Sequence, residues 1–322
     1  MRYKIAAVLV AVVLLPWTLI QPEWCQAQSY PTRQLTYLIP FDPGGQSDVE
    51  ARRQQPHLSR ILGQQVIIDY KVGGGGAIGW RELVKSKPDG YVFAGFNIPH
   101  TILQPLQQNV GYKTEQLVPV ALFQRTPVGL AVPDNSPYKT LNEFIEAAKK
   151  DPGKLTVGGS SFFSGPHFAT MLFDKLAGIK LSYVPFTGAA PQITALLGGH
   201  TDAGMSFSND LVRFKDKLRI LALATEGRMA EFPDAPTFKE LGFNIVEAVD
   251  RGVIVPPNTP KEVIAKLEAA FLEIANNPEI QAEMRKQGFV PLAMGAADTK
   301  AYLDKLTANY KAMFEEIKQT EK

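Results

Sequence analysis

The sequence predicts an α/β protein with two similar lobes, on three observations. From Gln34 the chain alternates apolar runs, glycine-rich turns and amphipathic segments; a second series of the same kind occupies the middle of the chain; and residues 261–322 are rich in helix formers. Parallel neighbouring strands need a crossover between them, usually a helix, so repeated strand, turn and helix signals imply a layered parallel sheet.

In the first series QLTYLIPF reads as a strand, DPGGQSD as a turn and VEARRQQPHLSRIL as a helix ended by Gly63. QQVIIDY is the next strand, the glycine cluster KVGGGG its turn, and AIGWRELVKSK a helix stopped at Pro88-Asp89-Gly90, before the strand YVFAGFN. In the second series the strands are GLAVP, LTVGG, LSYVPF, TDAGMSF and RILALAT, with LNEFIEAAKK, PHFATMLFDKLAG and APQITALLGG as helices. The stretch VIVPPNTP leads into the helical C-terminal part. Two lobes separated by a cleft suit this pattern.

The first 28 residues have the order of a secretory signal: Arg2 and Lys4, an apolar stretch from Ile5 to Ile20 interrupted by Pro16, and small Ala27. Cleavage near Ala27 would give an exported protein in the periplasm. It would also remove Cys25, the chain's only cysteine, and with it any disulfide or thiol chemistry. Glu23 and Trp24 stand before Cys25 where a lipidation site needs small residues. The whole chain has 34 Lys+Arg against 32 Asp+Glu, so losing Arg2, Lys4 and Glu23 takes the formal charge from +2 to +1. A near-neutral surface of mixed sign offers no electrostatic footprint for nucleic acid.

Two glycine-bearing turns carry the chemistry, residues 42–48 and 73–79. A βα turn that opens a helix leaves backbone N–H groups unpaired and concentrates the positive end of the helix dipole, which attracts an anion. Adjacent parallel strands would bring both turns to one edge of the sheet, where open α/β sheets bind ligands. Gly74, Gly76 and Gly79 also spell G-x-G-x-x-G, but the dinucleotide fingerprint needs an acidic residue at the end of the next strand. That strand ends in Asn97, a residue placed at the cleft edge to meet ligand or water. A small anion, a carboxylate, fits better than a nucleotide, and no cofactor is expected.

Other chemistries find no support. His57, His100, His167 and His200 are scattered without a ligand-like pairing, so no metal is expected. No G-x-S-x-G elbow occurs, and a hydrolase or isomerase in the same cleft would lack a triad, metal set or cofactor loop.

The segments YPTRQLTYLIPFDPGGQSDVEAR, LGQQVIIDYKVGGGGAIGWRELVKSKPDGY and HFATMLFDKLAGIKLSYVPFTGAAPQITALLGGHTD, then LGF and VPPNTPKEVIAKL, resemble the Bug (TctC-like) family in order, from Tyr30 to about residue 316. These are extracytoplasmic solute receptors of tripartite tricarboxylate transporters. The resemblance implies a type II periplasmic-binding-protein (Venus flytrap) fold whose domains close on a carboxylate. It implies a first domain of residues 29–128 plus 252–322, a second of 129–251, and crossings near Gly129 and Gly252. Gly45, Ser47, Gly76, Ala77 and Ile78 would supply backbone donors to one carboxylate, with Gly44 and Gly75 completing the loops, Phe41 as an apolar wall and Asp48 capping the helix. From the second domain the matching loops offer Ser160, Ser161 and Ser164, then Thr187, Gly188 and Ala189.

Two positions depart from the family. Ser206 stands where many members carry an acidic residue, with Asn209 and Asp210 displaced, which argues against an amino-acid ligand. Arg251 replaces an aromatic residue and would pair with a distal carboxylate. Each has a plainer alternative: the serines cap the helix near Pro166, and Arg251 pairs with Asp250 or Glu247. The function implied is a monomeric receptor, not an enzyme. It would capture a di-, tri- or aromatic carboxylate and deliver it to membrane transporter subunits, or report it to a sensor protein.

Overall fold

The computed structural model describes residues 30–320, so the expected signal segment and Cys25 lie outside the described residues. The first lobe opens with β1 (Leu35–Ile39), α1 (Gln46–Leu62), β2 (Val66–Tyr70), α2 (Ala77–Leu83), β3 (Val92–Ile98) and α3 (His100–Gln107). The long strand β4 (Val118–Pro133) leads into the second lobe, made of α4 (Leu141–Lys150), β5 (Thr156–Ser160), α5 (Gly165–Ala177), β6 (Ser182–Phe186), α6 (Ala189–Leu197), β7 (Ala203–Phe207), α7 (Ser208–Arg213) and β8 (Leu218–Leu223). Strand β9 (Ala248–Val255) returns to the first lobe, followed by α8 (Lys261–Ala275), α9 (Pro278–Lys286), β10 (Val290–Gly295) and α10 (Ala296–Thr320).

Local rules account for the elements that frame the cleft. Helix α1 buries Ala51, Gln54, Leu58 and Leu62, a stripe at helical spacing, and stops where Gly63 adopts φ 66, a left-handed C-cap that glycine takes without a Cβ clash. Helix α4 starts on a reciprocal capping box between Thr140 and Glu143.

The strand order is β2-β1-β3-β9-β4-β7-β5-β6, with β8 and β10 also bonded to β4. β1 lies parallel between β2 and β3, and β5 lies parallel between β6 and β7, so each lobe has the predicted parallel core. β9 is antiparallel to both β3 and β4. β4 is shared: up to Pro127 it pairs with β9, and from Val128 it pairs with β7 and β8. The return crossing lies just before β9, where Val128 N–H donates to Glu247 O at 3.2 Å and Glu247 N–H to Ala224 O at 3.0 Å.

The crossings were expected near Gly129 and near Gly252. The first falls at residues 127–128 and the second near 247, so Arg251 belongs to the first lobe's sheet, opposite Asn97 and Gln124. Prolines at 119 and 127 interrupt the apolar run of β4, and its pairing with β9 shifts register after Pro119 and again between Leu122 and Gln124, which periodicity alone does not anticipate. Each lobe has its own core. Tyr37, Phe93, Phe123 and Phe271 pack together in the first; Phe144, Phe173, Phe238 and Val249 are buried in the second.

Candidate ligand-binding site

The loop after β1 leads into α1 through Gly45, an N-cap with no side chain to satisfy the first turn. Asp48 holds the loop from behind. Its carboxylate accepts from Gly44 N–H at 2.7 Å and Tyr70 O–H at 2.6 Å and pairs with Arg52 at 2.9 Å. The Gly45 N–H is taken by Asp42 O at 3.2 Å. The N–H groups of Gln46 and Ser47, in the first turn, have no intrahelical acceptor to reach. Across the cleft α6 begins on Gly188, again an N-cap without a side-chain bond, followed by Ala189 and Ala190.

These two uncapped helix starts face one cavity of about 470 Å³ counting its mouth. The first lobe lines it with Phe41, Gly45, Ser47, Asn97 and Arg251, and the second with Ser160, Gly188 and Ala189. Seven lining residues were missed from sequence: Asp42, Pro43, Gln46, His100, Ala190, Pro191 and Phe207. Gln46 was discoverable as the first residue of an uncapped helix. His100 follows a proline on a helix too short to show periodicity, and Phe207 looks like any buried strand residue.

Arg251 is 5 % exposed and among the described residues forms no salt bridge. Its Nη1 donates to Thr126 Oγ1 at 2.6 Å, its guanidinium lies 5.5 Å from the Phe207 ring centre, and its Nε has no partner among the described residues. Burial pushes its pKa down to about 10, opposed by the carboxylates of Glu50, Asp210 and Asp250. The structural ion pair expected as its alternative goes elsewhere: Asp250 is held in a fork by Arg125 at 2.8 and 2.9 Å, and Glu247 accepts from Tyr310 O–H at 2.8 Å. Beside the cavity His100 is buried with Nδ1 unpartnered, and burial together with the Arg251 charge lowers its pKa to about 3, so the imidazole is neutral. Ser160 Oγ is also buried without a partner among the described residues.

Several residues expected to contact the ligand lie outside this cavity wall. The loop 73–76 closes into a 3₁₀ turn that consumes its own donors: Gly76 N–H and Ile78 N–H both go to Gly73 O, at 3.1 and 3.4 Å, and Ala77 N–H goes to Gly74 O. A Cβ at Gly76 would lie 2.6 Å from the Trp80 ring, so that glycine makes room for packing. Gly75 meets the opposite lobe instead, since a Cβ there would stand 3.1 Å from Ser161 Oγ. Gly44, Gly75, Gly76, Ala77 and Ile78 are absent from the cavity wall, as are Ser161, Ser164 and Thr187. Ser164 caps α5, accepting from His167 N–H at 3.3 Å, and Thr187 is exposed. Ser206 is buried against Gln192, 3.1 Å from its Nε2. Asn209 joins the lobes: Gln46 Nε2 donates to Asn209 Oδ1 at 2.5 Å and to Asp210 Oδ2 at 3.4 Å.

Two α/β lobes joined by shared strands, closed on a cleft lined by helix starts, define a type II periplasmic-binding-protein fold. A family model described as the tripartite tricarboxylate transporter family receptor, TctC, matches residues 50–319, and the chain belongs to that family, whose members are periplasmic solute-binding proteins. It is 30% identical over 303 residues to a UPF0065 protein from the gbd 5' region of Cupriavidus necator, covering 92% of this chain and 91% of that one. A solved structure described as a periplasmic transporter superposes with a TM-score of 0.83 at 27% identity, covering 89% of this chain and 98% of that one. R. palustris Rpa4515, solved with adipate, has a TM-score of 0.83 at 26% identity, covering 90% and 98%. Among the described residues no helix is long and apolar enough to cross a membrane, and no group of three His, Cys, Asp or Glu is placed to hold a metal ion.

Proposed function

We propose that this protein is an extracytoplasmic receptor that closes its two lobes on a small organic carboxylate and hands it to a tripartite tricarboxylate-type membrane transporter. One observation carries the binding step. Two uncapped helix N-termini, one from each lobe, converge on a cavity that also holds a buried guanidinium without a carboxylate partner. A buried unpaired charge costs several kcal/mol, and an anionic ligand offsets it. The helix starts add backbone donors and favourable dipole ends. Delivery to a transporter rests on family membership, and export on the N-terminal signal pattern.

The test is thermal denaturation of the exported form with mono-, di-, tri- and aromatic carboxylates, amino acids and nicotinamide nucleotides. A ligand specific to the folded state at one hundred times its Kd stabilises by about 2.7 kcal/mol. A rise in midpoint confined to carboxylates is expected; a response to nucleotides alone would overturn the reading. Loss of uptake of that acid in a strain lacking this chain tests delivery.

A further inference from the structure

The ligand cavity adjoins a second, larger space that no part of the carboxylate cradle requires. Gly45, Gln46, Ala189 and Ala190 line both, and the second space opens outward between α1, α6, α7 and the turn after α9. It has about 1280 Å³, counting its mouth. Of the four shared residues, Gln46 alone carries a side chain larger than a methyl group. Gln46, 7 % exposed, spans from α1 to Asn209 and Asp210 on α7, while its Oε1 is buried with no partner among the described residues.

The composition of the outer space is amphipathic. Val49, Ile193, Phe214 and Phe289 give it apolar walls, with Val49 left 42 % exposed. Arg213 and Lys286 stand at its rim, and among the described residues neither makes a salt bridge. Asp210 also lines it, but that carboxyl is engaged by Gln46, and burial raises its pKa to about 6. Apolar walls ending in two cations match a molecule with a hydrocarbon body and an anionic far end.

We infer that this outer space is a second subsite for the distal half of an elongated α,ω-dicarboxylate, and that Gln46 is the residue that sets ligand length. The inference rests on the carboxylate reading above. One carboxylate occupies the inner cavity at the starts of α1 and α6; the chain passes Gln46, which turns aside from α7; and the far carboxylate meets Arg213 and Lys286. With short acids Gln46 stays bonded to Asn209 and closes the inner cavity.

The probes are succinate, octanedioate and octanoate, measured by calorimetry on the wild type, on Gln46→Ala and on the double variant Arg213→Ala/Lys286→Ala. Exposed charge pairs contribute modestly, so removing both rim cations is expected to weaken octanedioate roughly three- to tenfold while octanoate and succinate change less than twofold. Added salt should produce the same selective loss. Gln46→Ala is expected to raise the ratio of octanedioate to succinate affinity. Equal effects on octanedioate and octanoate, or an unchanged ratio in Gln46→Ala, would overturn the subsite while leaving the carboxylate receptor intact. Failure of all three acids and of the wider carboxylate panel would overturn both.

Discussion

Replacing Arg251 by Met should separate binding from stability, with effects of opposite sign. In the ligand complex the guanidinium faces an anion inside a cavity walled by Phe41, His100 and Phe207, where truncating one partner of a buried charge pair costs about 2–5 kcal/mol. At about 1.4 kcal/mol per tenfold, Kd rises roughly 30-fold to 4,000-fold. Without ligand the same side chain is a buried cation with one hydrogen bond, to Thr126, and an unpartnered Nε. Replacing buried charge by a hydrophobe of similar volume is often neutral or stabilising by about 1–4 kcal/mol. Glu50 keeps its pairing with Arg53, so no second charge is stranded. The ligand-free midpoint should therefore hold or rise, by about 2–4 °C per kcal/mol for lobes of this size. Calorimetric titration with the best-bound acid and a ligand-free melt test this. A variant that binds as well as wild type yet melts several degrees lower would make the guanidinium a structural group and refute the argument.

Ser160→Ala removes a hydroxyl that lines the cavity and has no partner among the described residues, so affinity should fall by about 0.5–1.5 kcal/mol in the titration with no loss of melting temperature. Gly76→Ala should do the reverse: its φ of 99 and the Trp80 ring 2.6 Å from an added Cβ predict about 1–3 kcal/mol of lost stability in chemical denaturation, and the folded variant should bind normally. Burial raises the pKa of Glu247 from 4.5 to about 8, against the hydrogen bonds from Tyr310 and Ala248. The folded state then binds more protons than the unfolded state between these values, so this group's contribution is fully present below about 4.5 and is lost as pH rises through 8. Melts of Glu247→Gln across pH 5 to 9 should show a flatter profile than wild type, converging toward acid; parallel profiles would refute the assignment.

The two βα series were legible because each strand is short, apolar and followed by a helix whose buried stripe has its own period, as in Ala51, Gln54, Leu58 and Leu62. Of the shared strands, only the end of β4, GLAVP, was legible. β9 contains Asp250 and Arg251 side by side, facing opposite ways, one toward Arg125 and the other toward the cavity, and adjacent charges interrupt the apolar run by which a strand is read. β10 breaks its pattern with a register shift between Pro291 and Met294. At the site, the sequence located both helix starts because glycine caps are local signals. The hydrogen bonds within the loop 73–76 were not legible, since glycines that free a backbone for a ligand are indistinguishable in sequence from glycines that let it fold on itself. Gln46 and His100 became visible only when opposing loops were brought together.

The position of Arg251 also bears on why closure should depend on ligand. It projects from β9, which is bonded on both sides to β3 and β4, and its Nη1 is tied to Thr126 Oγ1. Closure as proposed would bring Ser160 and the start of α6 over this positive charge and remove its remaining water. In the empty protein this desolvation opposes closure; an anion reverses the sign by binding the closed form better. The Gln46 bridge to Asn209 and the approach of Gly75 to Ser161 would favour closure in both cases, and the cation would oppose it. Small-angle scattering of ligand-free Arg251→Met should then show a smaller radius of gyration than ligand-free wild type, approaching that of the liganded protein. Identical ligand-free profiles, with wild type still contracting on binding, would mean that the energy of closure comes from ligand contacts alone and not from relief of a buried charge.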